Sequence, residues 1–141
     1  MSAEENGALV RRFVQEIFNQ GNLEVAEEIL APDYLHHDPT TNEFGSGIEG
    51  FKQMISIYRQ AFDLQIVLED QITAGEKVVD RWTGHGIHQG EFMGMAPTGK
   101  RITATGISIH RIADGKIAET WNNYDALSIF QQLGIVPGQK Q

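Results

Sequence analysis

Residues 77–125 carry the pattern that most restricts how this chain folds. Apolar and polar side chains alternate over three segments, 77–88, 101–112 and 116–122, and the dipeptide Asp114-Gly115 before the last segment is typical of a tight hairpin turn. These segments predict three antiparallel strands. Because ionisable side chains lie among their β-branched and apolar residues, we expect one face of the sheet to form the wall of a pocket.

The chain before residue 77 has mostly the periodicity of amphipathic helices. Apolar residues recur there with a period of about 3.6 residues. The elements predicted outside the three strands are helices at 4–19, 23–30, 48–62 and 125–133, an extended piece at 34–39 and a strand at 64–74. Helices followed by strands predict an α+β fold. We expect a curved antiparallel sheet wrapped around the N-terminal helices, as a cone-shaped barrel with an internal pocket.

Glycines and loops complete this prediction. Glycines inside strands often mark bends or bulges, which would curve the sheet. Three such glycines are Gly84, Gly86 and Gly106. The polar segment 40–47 is predicted to be a loop, and the segment 89–100 is long enough to form a flap over the pocket. We expect the tail, residues 136–141, to fray.

The composition excludes several classes of function. A chain of 141 residues predicts a single domain, residues 1–141. The net charge of −8 argues against binding to nucleic acid or to an anionic membrane surface. The chain has no cysteine, hence no disulfide and no thiolate nucleophile. Since it shows neither a signal peptide nor an apolar run near the ~20 residues of a membrane span, we expect a cytoplasmic protein.

Asp125 is a candidate catalytic residue with two interpretations. It lies where the last strand gives way to a helix. A carboxyl at the mouth of a pocket, with a pKa raised by apolar neighbours, serves as a general acid or base. Aspartate at this position is equally suited to cap the N-terminus of a helix. The residue type and its position fit both interpretations.

The pair Asp80-Arg81 lies in the middle of a predicted strand. Adjacent residues of a strand point to opposite faces, so only one of these two side chains faces the pocket. A charged side chain among apolar neighbours is costly to bury unless it is paired. The pair is therefore interpreted either as part of the site or as a structural ion pair.

The histidines do not have the spacing of a metal site. His85 and His88 lie on opposite faces of their strand, and His36 and His37 are adjacent, so no two of them share a face within one element. We predict no metal. No nucleotide-binding glycine motif is present, and we predict no cofactor. The apolar Phe92 in the 89–100 flap is interpreted as a cover that excludes water from the pocket.

Longer stretches of the chain resemble a known family. The runs RWTGHGIHQGEFMGMAPTGKRI and GISIHRIADGKIAETWNNYDALSIFQQLG, together with YLHHDP near residue 34, resemble the SnoaL-like polyketide cyclase family of the nuclear transport factor 2-like superfamily. The resemblance extends over most of the chain. It implies a cofactor-free intramolecular aldol condensation that closes a ring on a polyketide ester in an apolar pocket.

The resemblance also implies roles for individual residues. Asp125 matches the family's general acid/base, and His110 matches the histidine that assists it. The residues implied to line or support the substrate pocket are His36, Tyr58, Arg81, His88, Phe92 and Trp121. This chain departs from the family at Asp80, where an apolar or neutral residue is expected before the Arg-Trp pair. The sequence therefore leaves open whether Asp80 is a second carboxylate in the pocket.

Two other functions fit the same fold. One is an epoxide-hydrolase-like enzyme in which Asp80 and Asp125 act around Arg81, and it requires Asp80 to face inward. The other is a non-catalytic module that binds an apolar ligand or dimerises. We expect a small apolar or polyketide-like ligand. In every case we expect a homodimer, with Trp82 or Ile107 on the outer face of the sheet serving as the contact.

Overall fold

The computed structural model describes residues 2–40 and 47–135, and it confirms the α+β class. The helices are α1 (Ala3–Arg12), α2 (Ala26–Ile29), α3 (Gly47–Ala61) and α4 (Ala126–Leu133), with a π-helix at Phe13–Asn19 and a 3-10 turn at Leu23–Val25. The strands are β1 (Leu30–His37), β2 (Gln65–Ala74), β3 (Lys77–Ile87), β4 (Arg101–Ala113) and β5 (Lys116–Tyr124).

The sheet is mixed and open, which corrects the expected antiparallel barrel. Its order is β1-β5-β4-β3-β2, so the described part of the chain leaves β1 and β2 as edges. The three pairings between β2, β3, β4 and β5 are antiparallel, as predicted. The exception is β1, which pairs in parallel with β5. This strand begins four residues before the predicted extended piece, and α3 then carries the chain from this edge of the sheet towards the opposite one.

The N-terminal helix packs across the concave face of the sheet. Ser2 and Glu5 form a capping box that satisfies backbone N–H groups at its start. The helical segment continues as one stretch through the π-helix, which places Phe13 and Ile17 on the buried side. Phe13 stacks on Phe51 of α3 with 5.6 Å between ring centroids. Together with apolar residues of β3, β4 and β5, these side chains form the core.

The glycines within β3 and β4 leave space for neighbouring side chains and do not mark β-bulges. β3 and β4 pair without a register shift past Gly84, Gly86 and Gly106, so the bulges expected there are absent from this pairing. A Cβ at Gly106 would lie 2.3 Å from a ring atom of Trp82, closer than two carbon atoms can approach. Glycine at this position therefore allows the Trp82 indole to lie over β4. A bulge does occur in β2, next to Leu68.

Other expectations fall partly on residues that are not described. The predicted loop at 40–47 lies outside the described residues except for its two ends, and the tail at 136–141 lies wholly outside them. The segment that connects β3 to β4 lies within the described residues, and in it Phe92 and Met95 form an isolated β-bridge. Among the described helices, none combines the length and apolar character needed to cross a membrane.

Candidate active site

A cavity of about 130 Å³ lies between the helices and the concave face of the sheet. Most of its wall is apolar, and the apolar lining includes Phe13, Phe18, Met54, Ile66, Ile102 and Ile129. The polar lining includes His36, Asp38, Asp80, Ser108, His110 and Asn122, with Tyr58, Trp82 and Tyr124. A mostly apolar cavity with a few convergent polar groups is the usual form of a small-molecule site.

Strand alternation explains why these polar groups converge. In β3, β4 and β5 the even-numbered residues around the cavity point inward. The register places Asp80 opposite Ser108, and Ser108 opposite Asn122. His110 lies opposite Thr120 in the same way. Side chains directly opposite one another on neighbouring strands lie within hydrogen-bonding reach, so the register assembles the site.

Asp80 and His110 form a buried polar pair in the cavity wall and are only 1% and 2% exposed. The His110 Nε2 lies 3.1 Å from Asp80 Oδ2, and its Nδ1 lies 2.9 Å from the Thr120 hydroxyl. Gln71 donates to the other Asp80 oxygen at 3.3 Å. Both ring nitrogens of His110 thus have partners within the protein, and both oxygens of Asp80 face donors.

A second carboxylate, Asp38, faces the cavity and is 7% exposed. Its Oδ1 accepts from the Thr40 backbone N–H at 2.9 Å and from the Thr40 hydroxyl at 2.7 Å. Its Oδ2 accepts from Asn122 Nδ2 at 2.9 Å. Ser108 donates to Asn122 Oδ1 at 2.6 Å and accepts from Trp82 Nε1 at 3.0 Å. Because indole N–H is only a donor, this chain of bonds runs from Trp82 to Asp38.

Two tyrosines lie beside this carboxylate. The phenol oxygens of Tyr58 and Tyr124 are 2.9 Å apart, and the Tyr124 oxygen lies 3.0 Å from the Thr40 hydroxyl. Burial raises the pKa of Tyr58 well above its usual value, and the neighbouring Tyr124 raises it further. The Tyr58 phenol is therefore uncharged at neutral pH, so it serves as a hydrogen-bonding group rather than as an anion.

His36 contributes a ring nitrogen that has no protein partner. Its Nδ1 lies 3.1 Å from the Tyr34 hydroxyl. Its Nε2 is buried and has no hydrogen-bond partner among the described residues. Burial lowers the pKa of His36 to about 4, although the nearby Asp38 carboxylate opposes this shift. His36 is therefore a neutral imidazole at physiological pH.

Three of the eight predicted site residues line the cavity: His36, Tyr58 and His110. His88 and Phe92 pack against Phe62, which lines the cavity, but they are not part of the lining themselves. The His88 Nδ1 bonds to the Thr98 hydroxyl at 3.0 Å, which ties the end of the flap to β3. These two residues support the flap rather than line the cavity.

Arg81 and Trp121 lie on the outer face of the sheet, so neither can bind a ligand in this cavity. Arg81 pairs with Asp70 at 2.7 Å in an exposed ion pair. Trp121 stacks on His37 with 5.5 Å between ring centroids. Trp82 was expected on this outer face, and that expectation is wrong because its indole lines the cavity. Successive side chains of a strand point to opposite faces, which places Arg81 and Trp121 outside and Trp82 inside.

Asp125 is exposed and lies outside the cavity lining. Its Oδ1 accepts from the Ser128 backbone N–H at 3.0 Å, which makes it the N-cap of α4. The structure therefore shows that Asp125 caps the N-terminus of α4. Asp125 and His110 have no contact with each other among the hydrogen bonds of the described residues. A catalytic role for Asp125 stays a prediction.

Sequence reasoning missed Asp38, Asn122 and Tyr124 as site residues. Ser108 was not predicted as a site residue either. The hairpin at Asp114-Gly115 starts the pairing of β4 with β5, but a register shift between Arg111 and Ile112 brings Asn122 opposite Ser108, so the turn signal alone does not predict this pair. Asp38 lies two residues after His36 and shares its face, which is the only local signal for it.

The described residues contain no group of three or more metal-ligating side chains able to hold a metal ion.

Comparisons with known proteins identify the family of the chain. The model of the family described as SnoaL-like polyketide cyclase matches residues 8–133. The nogalonic acid methyl ester cyclase of Streptomyces nogalater is 32% identical, over 83% of this chain and 89% of its own length. The aklanonic acid methyl ester cyclase of Streptomyces peucetius is 35% identical, over 89% and 88%. The structure of TsrD from Streptomyces laurentii superposes with a TM-score of 0.86 at 29% identity, covering 96% of this chain and 99% of that one.

Proposed function

Since the chain belongs to the SnoaL-like polyketide cyclase family, we propose that it closes a ring on a polyketide by an intramolecular aldol condensation, without a cofactor. Two of the relatives above are named as cyclases of nogalonic acid methyl ester and of aklanonic acid methyl ester. We propose a polyketide acid methyl ester of the same class as the substrate. The lining of the cavity supports this choice, because a mostly apolar wall with a few polar groups suits the chemistry of such a ligand.

The observation that carries the proposal is the Asp38 carboxylate at the wall of this cavity. An aldol condensation needs a base that removes a proton from the carbon next to a carbonyl. It also needs a proton donor for the oxygen of the attacked ketone. Asp38 is held by three donated hydrogen bonds, which fix its position. We assign proton removal to Asp38, an effect worth about 10²- to 10⁴-fold in rate.

The second requirement is stabilisation of the enolate oxygen in a cavity that excludes water. Hydrogen-bond donors fixed before the reaction stabilise developing charge best, because they need no reorganisation. The phenol of Tyr58 lies beside Asp38 and is uncharged, so it can donate to the enolate oxygen by turning its hydrogen from Tyr124 to the ligand. We assign enolate stabilisation to Tyr58 and return of the proton to Asp38.

His110 and Asp125 were the residues expected to do this chemistry. We propose that His110 acts as a positioning residue, because both of its ring nitrogens already bond to Asp80 and Thr120. A catalytic Asp125 is the competing proposal. Its exposure and its hydrogen bond to Ser128 favour Asp38 instead.

The test is product formation from a defined substrate. Purified protein is incubated with nogalonic acid methyl ester and with aklanonic acid methyl ester, and the products are separated by chromatography with mass detection. Ring closure by aldol addition, without loss of water, changes the retention time but not the mass. In ²H₂O the recovered product gains deuterium only at carbons whose protons exchange during the reaction. If neither ester yields a new isomer faster than it does without protein, the proposal is contradicted.

One observation favours the alternative of an epoxide hydrolase. Asp80 faces inward, as that function requires. However, Arg81 and Asp125 both point away from the cavity, so the three residues do not form one site. Incubation with styrene oxide separates the two functions, because a hydrolase adds the mass of one water molecule. A non-catalytic module predicts neither product.

We further propose that the chain forms a homodimer in the cytoplasm through the outer face of its sheet. An apolar row crosses this face through Ile72, Val79 and Ile109, which are paired across neighbouring strands. Ile72 is 64% exposed, and Ile107 beside the row is 53% exposed. Burying such residues against a second copy removes apolar surface from water. Light scattering after size exclusion tests this, with Ile107→Asp expected to give a monomer.

A further inference from the structure

We propose that the proton which Asp38 takes from the ligand returns to it through a chain of three hydroxyl groups, those of Thr40, Tyr124 and Tyr58. Asp38 and Tyr58, at the two ends of this hydroxyl chain, both line the cavity, so the proton is taken from and returned to the same space. The chain reverses its direction when Asp38 is protonated, which turns the Tyr58 hydrogen towards the ligand. The part of the inference that concerns ring closure rests on the proposed function, whereas the resting direction of the chain does not.

The resting direction of the hydroxyl chain is set by the Asp38 carboxylate. A carboxylate only accepts hydrogen bonds, so the Thr40 hydroxyl donates its single hydrogen to Asp38 Oδ1 across the 2.7 Å contact. The Thr40 hydroxyl oxygen also lies 3.0 Å from the Tyr124 phenol oxygen. Because Thr40 has no second hydrogen to give, Tyr124 donates to it. The Tyr124 hydrogen is then used, so Tyr58 donates to Tyr124 across their 2.9 Å contact. At rest all three hydroxyl hydrogens therefore point along the chain towards Asp38.

The second oxygen of Asp38 has a partner that cannot reverse. Trp82 Nε1 donates to Ser108 at 3.0 Å, so the Ser108 hydrogen goes to Asn122 Oδ1, 2.6 Å away. The Asn122 amide nitrogen therefore faces Asp38 Oδ2, where it only donates. The Thr40 hydroxyl at Oδ1 can turn and become an acceptor, so a proton on Oδ1 finds a protein partner. The proton of a neutral Asp38 is thus placed at the start of the hydroxyl chain.

Protonation of Asp38 reverses the hydroxyl chain. Asp38 Oδ1 takes the proton from the carbon next to the ligand carbonyl, and the electron pair of that C–H bond forms the enolate. Asp38 is then a donor to Thr40, so Thr40 turns its hydrogen to Tyr124, and Tyr124 turns its own to Tyr58. The Tyr58 hydrogen leaves Tyr124 and bonds to the enolate oxygen. The base thus prepares the proton donor through its own protonation, which fixes the order of the two steps.

Ring closure then returns the proton to the ligand. The enolate carbon bonds to the ketone carbon, and the electron pair of the ketone π bond moves to its oxygen, which becomes an alkoxide. The carbons that bear the enolate and alkoxide oxygens are separated by one carbon, so the Tyr58 phenol serves both oxygens in turn. The alkoxide takes the Tyr58 hydrogen, each hydroxyl passes one hydrogen along the chain, and Asp38 gives its proton to Thr40. Every hydroxyl hydrogen then points towards Asp38 again, so the resting arrangement is restored with no net change in protons.

The first test reads the resting direction of the hydroxyl chain without any ligand. Neutron diffraction from crystals of deuterated protein near pH 7 locates the deuterium atom on each hydroxyl oxygen. We expect the Thr40 deuterium to point to Asp38, that of Tyr124 to Thr40, and that of Tyr58 to Tyr124. The Ser108 deuterium is the internal control, because an indole N–H fixes its direction. A Thr40 deuterium that points to Tyr124, or a Tyr124 deuterium that points to Tyr58, overturns the inference whether or not the protein is a cyclase.

The second test separates removal of the proton from its return. Wild type and Tyr124→Phe are incubated with nogalonic acid methyl ester in ²H₂O, and the ring-closed product and the deuterium in the recovered ester are both measured. Tyr124→Phe interrupts the chain and leaves the hydrogen bonds from Thr40 and Asn122 to Asp38 in place. We expect its ring closure to fall by about 10²- to 10⁴-fold, the contribution of a general acid, while deuterium still enters the ester faster than without protein. Equal losses of ring closure and of deuterium entry show a structural effect and overturn the inference.

Thr40 offers a matched pair of variants for the same assay. Thr40→Val removes the first hydroxyl of the chain and should lose ring closure, and Thr40→Ser, which keeps a hydroxyl, should recover most of it. Because the hydroxyls act in series, Thr40→Val combined with Tyr124→Phe should cost no more than either change alone. Undiminished ring closure in Tyr124→Phe, or additive losses in the double variant, overturns the role of the chain alone. If the wild-type protein closes no ring, the proposed function fails and the role of the chain fails with it.

Discussion

The Asn122 amide donates a 2.9 Å hydrogen bond to the Asp38 carboxylate across 84 residues of sequence. The contact joins β5 to the residue that directly follows β1, and it exists because these two strands pair in parallel. Asn122 in turn is oriented by Ser108 and Trp82, which lie on β4 and β3. Three neighbouring strands thus position the carboxylate that we propose as the base.

The buried pair of Asp80 and His110 is expected to contribute more stability than any exposed ion pair. Asp80→Ala leaves His110 Nε2 buried without its partner, so we expect the free energy of unfolding to fall by about 1–3 kcal/mol. The matched control is Asp70→Ala, which removes the exposed pair with Arg81 and is expected to cost about 0–1 kcal/mol. Urea unfolding of both variants checks this, and equal losses contradict the prediction.

The pH dependence of stability is expected to follow His36. Burial lowers the pKa of folded His36 to about 4, whereas an unfolded histidine has a pKa of about 6.5. Between these values the unfolded chain binds the proton more readily. Stability is therefore lost as the pH falls from about 6.5 to about 4, by up to roughly 3 kcal/mol from this residue.

Urea midpoints measured across that pH range check the prediction. His36→Gln removes the titrating group, so we expect it to flatten the curve relative to wild type. His85→Gln is the control, because His85 is exposed. A curve with the same slope for wild type and His36→Gln assigns the pH dependence to other groups and contradicts the prediction.

Gly106 is expected to tolerate no side chain while Trp82 occupies its position. A Cβ at Gly106 would lie 2.3 Å from the Trp82 ring and 2.9 Å from the Asn123 carbonyl oxygen. Gly106→Ala should therefore cost about 1–3 kcal/mol of unfolding free energy and weaken binding in the cavity. Gly84→Ala is the matched comparison, because its nearest contact is the flexible end of Ile66 at 3.2 Å. If thermal unfolding shows that Gly84→Ala is less stable than Gly106→Ala, the prediction is contradicted.

The cap at Asp125 makes a separate prediction about stability. Asp125 accepts from the Ser128 N–H at the start of α4, so Asp125→Ala should cost about 1 kcal/mol. Asp125→Ser keeps a capping oxygen and should retain most of that stability. Urea unfolding separates the two variants. An Asp125→Ala variant as stable as wild type shows that the capping bond contributes little.

The sequence predicted most of the elements because their signals are local. The Asp114-Gly115 turn and the alternation on either side identify β4 and β5, and the apolar stripe of 4–19 identifies the first helix. The parallel pairing of β1 was not predictable, because it depends on the position of a strand relative to β5, far away in sequence. The sheet was therefore expected to be antiparallel throughout.

The site was harder to predict for two physical reasons. Both faces of β3 carry apolar residues, with Val78 buried and Val79 half-buried, so parity alone did not identify the inward face. Trp82 was consequently placed outside. Asp125 has a residue type suited both to catalysis and to capping, and the contact that distinguishes them is made only in the folded chain.

The most direct test compares Asp38→Asn with Asp125→Asn in one turnover assay on nogalonic acid methyl ester. Asparagine keeps the size of each side chain and removes its ability to take a proton. We predict that Asp38→Asn lowers kcat by about 10²- to 10⁴-fold. Asp125→Asn and the exposed control Asp33→Asn should keep the wild-type value within about twofold, since an asparagine also caps a helix. Full activity in Asp38→Asn together with loss in Asp125→Asn would contradict the account and restore Asp125 as the base.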